Sequence, residues 1–158
     1  MLDNNSDRIL ITPQGLMALK KELEELLKKR PYIVERVSES RQAGDLAENS
    51  EYTHAREDLG MIDGRIEELQ SILARAKVVD NGHQNCSQVN FGCRVIVKNG
   101  EGREIDFYIV GEWEADPASR KISYTSPLGQ ALLGKRVGDT IEMEAPVGKI
   151  VYLITKIE

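Results

Sequence analysis

Hydrophobic residues follow one spacing in the first half of the chain and another in the second. In the first half they recur three or four positions apart, which is the spacing of an α-helix that packs along one face. One such run consists of Leu16, Leu19, Leu23, Leu26, Ile33 and Val37, and the next of Tyr52, Ala55, Leu59, Ile62, Ile66, Leu69, Leu73 and Ala76. These runs predict helices over residues 13–43 and 46–77.

The predicted helix ends indicate how the two helices are connected. Thr12 is suited to cap the first helix, with Pro13 at its first position, where a missing N–H costs nothing. Pro31 lies inside the first helix and predicts a kink or a short break. The turn around Gly44 is short, and short connections make neighbouring helices antiparallel. The first half is therefore predicted to be an antiparallel coiled-coil hairpin, a rod of roughly 45 Å.

In the second half the hydrophobic residues alternate with polar ones, which is typical of β-strands. The predicted strands cover residues 93–98, 103–110, 121–124, 140–144 and 149–157, and a short helix covers residues 126–133. These elements indicate an α+β domain with an antiparallel sheet. The predicted organisation has two domains, namely a coiled-coil hairpin over residues 1–80 and a sheet domain over residues 89–158, joined by a polar linker over residues 81–88.

Composition narrows the class of protein. The chain has 158 residues, 41% of them hydrophobic, 30% charged and only 5% aromatic, which predicts a globular protein without a large aromatic-lined pocket. Its apolar runs are far shorter than the ~20 residues of a membrane span, and its polar start does not resemble a signal peptide, so a cytoplasmic monomer away from membranes is expected. The net charge is −5, and both halves are acidic, which argues against a general nucleic-acid binder held by bulk positive charge. No sequence-specific DNA binding is expected.

The cysteines and histidines predict no metal site. Cys86 and Cys93 lie seven positions apart, and the sequence indicates proximity along the chain only. We interpret both as reduced thiols without a chemical role. His54 is expected on a solvated helix face.

The connection between the helices, residues 44–49, carries the most informative chemistry. Asp45 and Glu48 lie there, at the expected tip of the hairpin. One interpretation is structural, because the spacing Asp45-Leu-Ala-Glu48 matches a capping box for the second helix. The other is functional, since two exposed carboxylates are too few for a complete Mg²⁺ site but suffice to complete a site on a partner. Spacing alone does not separate the two interpretations.

Two arginines flank this tip. Arg41 precedes it and Arg56 follows it. Guanidinium groups bind phosphate well, which favours contact with a nucleic acid brought to the tip. The alternative is that both form ion pairs with acidic residues along the helices.

The residues around the tip resemble those of the Gre transcript-cleavage factors of bacterial RNA polymerase. The resemblance covers nearly the whole chain. In the first half it rests on Leu10–Leu16, Arg30-Pro31, Gly44–Tyr52, Ala55–Glu57 and Gly64–Ile66. In the second half it rests on Phe91-Gly92, Ile109–Gly111, Ser126-Pro127 and Ala131–Gly134. Leu46 after Asp45 is similar to the GreA type rather than to the GreB type.

The resemblance implies a transcription elongation factor that is not an autonomous enzyme. The coiled coil is expected to enter the secondary channel of RNA polymerase, and an FKBP-like second domain to dock at the channel rim. Asp45 and Glu48 are expected to share a Mg²⁺ with the polymerase, with no cofactor bound to the factor alone. Arg41 and Arg56 are expected to bind the nascent RNA 3′ end. The polymerase then cleaves the RNA of a backtracked complex and resumes synthesis.

Three other functions remain open from the sequence, one of which is a purely structural coiled-coil adaptor. A protein of the same fold that only occupies the channel would inhibit the polymerase, although Asp45 and Glu48 argue against this. An FKBP-like second domain also suggests a prolyl isomerase or chaperone, which the few aromatic residues make less favourable.

Overall fold

The computed structural model describes residues 7–43, 49–80 and 86–158. Contacts divide the chain into two compact units. The helical unit is Leu16–Ala76, and the sheet unit joins the described residues up to Gly15 with those of Lys77–Glu158. The first described residues, which the sequence places with the coiled coil, therefore pack with the second half of the chain.

Two long helices form the helical unit, as predicted. Helix α1 is Pro13–Gln42 and helix α2 is Ser50–Arg75. The predicted cap of α1 is confirmed, because Thr12 Oγ1 accepts a hydrogen bond from Gly15 N at 3.1 Å. Helix α1 continues through Pro31, so the alternative of a short break is wrong, while the alternative of a kink stays a prediction. An ion pair at Arg30 and the buried Ile33 hold the helix on either side of the proline.

The buried seam between the helices follows the predicted spacing with one difference. On α1, Leu19 and Ile33 are buried. On α2 the buried positions are Ala55, Ile62, Ile66, Leu69 and Ile72. Ile72 is buried instead of the predicted Leu73, because 3.6 residues per turn gradually rotate a seven-residue repeat around the helix.

Arginine–carboxylate pairs connect the two helices and fix their direction. They are Arg65 with Glu22 (2.7 and 3.0 Å), Arg30 with Asp63 (2.6 and 3.1 Å) and Arg36 with Asp58 (3.2 Å). Residues later in α1 pair with residues earlier in α2, so the helices are antiparallel, as predicted. All these side chains are partly exposed, so the pairs favour one register more than they add stability.

A small sheet that the sequence analysis missed lies where the helical hairpin begins and ends. Strand β1, Ile9–Ile11, is hydrogen-bonded to strand β2, Ala76–Val78. Val79 N adds a bond to Ile11 O at 2.9 Å. The chain segments before α1 and after α2 are therefore tied together.

Five further strands form the main sheet. They are β3 (Arg94–Lys98), β4 (Glu104–Val110), β5 (Lys121–Ser123), β6 (Thr140–Ala145) and β7 (Gly148–Ile157), in the order β5-β4-β3-β7-β6. All neighbours are antiparallel except β4 and β5, which are parallel. The α+β class is confirmed, and the antiparallel prediction is wrong for this one pair. Residues 111–120, with two short 3₁₀ helices at Glu112–Glu114 and Pro117–Ser119, return the chain to the same end of the sheet.

A short helix and one face of the sheet enclose the core of this unit. Helix α3 is Pro127–Leu132, capped as predicted by Ser126, whose Oγ accepts from Gly129 N at 3.1 Å. The core consists of Val89, Cys93, Val95, Val97, Phe107, Ile109, Leu132, Ile141, Ile154 and Ile157. All its members lie between residues 89 and 157, inside the predicted second domain.

The two cysteines correct a prediction. The sulfur atoms of Cys86 and Cys93 lie 2.8 Å apart, so the residues are close in space as well as in sequence. Cys93 is 1% exposed within the core, while Cys86 is partly buried against it. Burial, followed by the hydrogen bond to Cys86, raises the pKa of Cys93 to about 11.

Glu114 attaches the N-terminal segment to the sheet unit. Its Oε2 accepts hydrogen bonds from Thr12 N at 2.9 Å and from Gly111 N at 3.1 Å, while its Oε1 accepts from Thr12 Oγ1. A Cβ atom on Gly15 would overlap the Glu114 side chain, so this contact requires glycine.

No helix among the described residues is long and apolar enough to span a membrane.

Candidate functional site

The candidate site is the connection between α1 and α2. Asp45 and Glu48, the two carboxylates predicted to act there, lie outside the described residues. The structure describes what flanks them, from the last turn of α1 to Gln42 and from Asn49 into α2.

Asn49 closes this connection through both ends of its amide side chain. Its Oδ1 accepts a hydrogen bond from Tyr52 N at 3.1 Å and so caps α2. Its Nδ2 donates to the carbonyl oxygen of Ser40, near the end of α1, at 2.6 Å. Ser40 is 4% exposed, and its own Oγ donates to Val37 O at 3.0 Å. One side chain therefore joins the end of α1 to the start of α2.

This arrangement corrects the predicted capping box. Helix α2 begins at Ser50 with Asn49 as its cap, so Asp45 does not cap it. The predicted start of α2 at residue 46 is therefore wrong, while the interactions of Asp45 and Glu48 themselves lie outside the described residues. Sequence reasoning missed Asn49, although asparagine directly before a helical run is a favoured cap.

Arg41 and Arg56 are both exposed on the helices beside the connection. Arg41 lies in the last turn of α1 and Arg56 in the second turn of α2. The side chain of neither arginine forms a hydrogen bond or an ion pair with any residue in the ranges 7–43, 49–80 and 86–158. The alternative of intramolecular ion pairing is therefore not observed among these residues. By contrast, Arg30, Arg36 and Arg65 on the same helices all have carboxylate partners.

The remaining charged groups near the tip are solvated. Glu51 is exposed in the first turn of α2. His54 is exposed as predicted, with Nδ1 3.7 Å from Glu57 Oε2. Within the described part of the chain, no three His, Cys, Asp or Glu side chains come together as a metal site. Asp45 and Glu48 do not belong to that part of the chain.

The sheet unit contains a cavity of about 500 Å³, which bears on the prolyl isomerase alternative. Charged and polar side chains line much of it, including Arg94, Lys121 and Glu158, with Tyr108 as an aromatic contribution. Other aromatic rings of the unit pair with one another, at 5.6 Å for Phe91–Tyr124 and 5.9 Å for Phe107–Tyr152. A pocket for proline is typically apolar and aromatic, so this cavity does not favour isomerase activity.

Two family models match the chain. Residues 9–78 match "Transcription elongation factor, N-terminal" of the GreA/GreB family. Residues 83–158 match "Transcription elongation factor, GreA/GreB, C-term". The two matches include both helices, the tip connection and the whole main sheet.

Curated relatives agree over nearly the full length. Transcription elongation factor GreA of Thermodesulfovibrio yellowstonii is 46% identical over 154 residues, which is 96% of this chain and 98% of that protein. GreA of Francisella tularensis subsp. novicida is 44% identical over 156 residues, 97% of this chain and 98% of the relative. A solved structure, GreA factor homolog 1 of Thermus thermophilus, is 27% identical and covers 96% of this chain and 99% of its own, with a TM-score of 0.45. From the two family models and the curated relatives, the chain belongs to the GreA/GreB family of transcription elongation factors and is of the GreA type.

Proposed function

We propose that this elongation factor binds RNA polymerase, inserts its coiled coil into the secondary channel and stimulates the polymerase's own cleavage of backtracked RNA. The observation that carries this proposal is the closure of the hairpin connection by Asn49. Asn49 caps α2 itself, so the proposal does not need Asp45 or Glu48 to serve as the cap.

The donor chemistry of the tip fits Mg²⁺. Asp45 and Glu48 offer carboxylate oxygens, which this ion prefers, and two such groups leave several coordination positions for a partner and for water. These two side chains would hold the ion jointly with the polymerase. A bound Mg²⁺ supplies charge neutralisation and a more acidic water. The factor itself binds and orients, while the phosphodiester bond is cleaved within the polymerase.

Arg41 and Arg56 are proposed to hold the RNA 3′ end. Their lack of carboxylate partners among the described residues supports this role, because an unpaired guanidinium can bind phosphate without first breaking an ion pair. Phosphate binding by two arginines on opposite sides of the connection would position the RNA beside the carboxylates.

The sheet domain is proposed to dock on the polymerase at the channel rim. Its core lies between residues 89 and 157, and its five-stranded sheet needs no residue from the coiled coil. Docking and chemistry are thus assigned to different parts of the chain.

Cleavage in a stalled, backtracked elongation complex tests the role of the tip. Asp45→Asn and Glu48→Gln should each abolish most stimulation, because a neutral amide is a poor Mg²⁺ ligand. Both should melt like the unmodified protein, since Asn49 provides the helix cap. Glu51→Gln is the matched control, because it neutralises an exposed acid in the first turn of α2 and should retain cleavage. Near-normal cleavage by both tip variants would refute the proposed role, and loss of polymerase binding by them would point to a docking function instead.

Competition tests the docking assignment. A fragment of residues 86–158 keeps every core residue of the sheet and should fold alone. It should compete with the full-length protein for RNA polymerase without stimulating cleavage. A folded fragment that never competes would transfer the main docking surface to the coiled coil.

A further inference from the structure

The pair of cysteines has no part in the proposed function, yet the fold holds it in a reactive geometry. A disulfide bond is about 2.05 Å long, whereas the sulfurs of Cys86 and Cys93 lie 2.8 Å apart. Closing the bond therefore requires one sulfur to move by less than about 1 Å.

Backbone hydrogen bonds hold the segment between the two cysteines. Val89 N donates to Lys135 O, and Gly134 N donates to Val89 O, both at 2.8 Å. Gly92 N donates to Ile109 O at 2.7 Å, with a φ of 85° that favours glycine. The loop is thus folded back on the sheet before any bond forms between the sulfurs.

The two thiols differ in exposure, which assigns them different roles. Cys93 is 1% exposed and lies in the core, so an oxidant in solution reaches it poorly. Cys86 is only partly buried, at the edge of the same core. A small oxidant in solution therefore reacts with Cys86 first. The Cys93 sulfur then lies 2.8 Å from the oxidised Cys86 sulfur, close enough to attack it.

We propose that Cys86 and Cys93 form a redox site that hydrogen peroxide converts to an intramolecular disulfide. The Cys86 thiolate attacks one peroxide oxygen, the O–O bond breaks, and the leaving oxygen departs as water after protonation, which leaves a sulfenic acid. Cys93 sulfur then attacks Cys86 sulfur, the S–O bond breaks, and the hydroxide leaves as water with the Cys93 proton. Two thiols are oxidised, and one peroxide is reduced to two waters. A dithiol reductant reverses the reaction by thiol–disulfide exchange.

Intact-mass analysis of the full-length protein tests the proposal. After stepwise addition of hydrogen peroxide, the protein should lose the mass of two hydrogens. It should then take up no alkylating reagent when denatured, and dithiothreitol should restore both thiols. Peptide mapping should place the link between residues 86 and 93. The oxidised protein should also melt at a higher temperature, because the bond restricts the unfolded chain.

Single variants assign the two roles. In Cys86→Ser, Cys93 should stay reduced at peroxide levels that oxidise the unmodified protein. In Cys93→Ala, Cys86 should accumulate as a sulfenic acid, which a cyclic diketone reagent traps. The Cys86→Ser experiment stands even if Cys93→Ala folds poorly, because Cys86 is outside the fully buried core. Sulfinic acid at Cys86 in the unmodified protein, disulfide-linked dimers, or two thiols that survive peroxide would each overturn the proposal.

Discussion

Asn49 Nδ2 donates a hydrogen bond to Ser40 O at 2.6 Å, across the connection between the two long helices. Its Oδ1 simultaneously caps α2 through Tyr52 N. The two bonds are separable by substitution, because aspartate has the same shape and keeps the acceptor while losing the donor.

Asn49→Asp should therefore leave α2 capped but release it from Ser40. We expect a small change in melting temperature and a clear loss of RNA cleavage, because the side chain at position 49 no longer joins the end of α1 to the start of α2. Asn49→Ala should lose the cap as well and destabilise the protein by about 1 kcal/mol or more. Thermal unfolding and cleavage measured on the same samples distinguish these effects. Full cleavage by Asn49→Asp would show that the bond to Ser40 is not needed for function.

Arg41 and Arg56 should be important for RNA and unimportant for folding. Replacing both with alanine should reduce crosslinking of the coiled coil to the RNA 3′ end, and added salt should weaken crosslinking in the unmodified protein, because phosphate contacts are electrostatic.

The matched control for that experiment is the double variant Arg30→Ala, Arg36→Ala. It removes the same charge from the same helical unit but breaks two interhelical ion pairs. It should lower the melting temperature more and affect RNA crosslinking less. Equal crosslinking by the two double variants would mean that the loss seen without Arg41 and Arg56 comes from the lower positive charge of the helical unit and not from contacts of these two residues with RNA.

Glu114 and Gly15 should show strong coupling in a double-mutant cycle. Glu114→Ala removes the acceptor of the Thr12 and Gly111 backbone N–H groups and should destabilise the protein by about 2 kcal/mol. Gly15→Ala should also destabilise, because its Cβ would overlap Glu114.

In the Glu114→Ala background the sign of the second substitution should reverse. With the glutamate removed, alanine at position 15 of α1 gains helix propensity worth up to about 1 kcal/mol over glycine. Chemical denaturation of the four proteins measures the coupling. Additive effects would mean that the side chain of Glu114 moves aside freely.

Stability under reducing conditions should fall as the pH rises from about 9 to about 11. The pKa of Cys93 is raised from 9.0 to about 11 by burial. In this range the unfolded chain loses the thiol proton while the folded protein retains it, so the free energy of unfolding decreases with pH. Cys93→Ala should lack that part of the decrease, on the order of 2 kcal/mol. If the free energy of unfolding fell equally with pH in the unmodified protein and in Cys93→Ala, the result would contradict the raised pKa of Cys93.

The sequence predicted the elements whose signals are local. The repeat that places Ile62, Ile66 and Leu69 on one face predicted α2, and a Ser-Pro pair predicted the start of α3 at Ser126. It did not predict strand β1, because three residues carry little pattern and their partner β2 lies more than sixty positions away. Strand β5 was predicted, but its parallel pairing with β4 was not, because the strand pattern does not show that residues 111–120 carry the chain back to the same end of the sheet.

At the candidate site, residue types were predictable but their partners were not. Asp45 and Asn49 are both good helix caps, and only the position where α2 begins selects Asn49. The closeness of Cys86 and Cys93 depends on a loop held by Val89 and Gly92 against distant residues, which seven positions of spacing do not reveal.

The two pairings at the ends of the helical hairpin have a mechanical consequence. Strands β1 and β2 join the segments before α1 and after α2, and Asn49 joins the helices at the other end. A hairpin joined at both ends resists sliding of one helix along the other. A shift of α1 along α2 in either direction would disturb the β1–β2 hydrogen bonds at one end and the Asn49–Ser40 hydrogen bond at the other. Both sets of bonds therefore oppose a change in the register of α1 against α2.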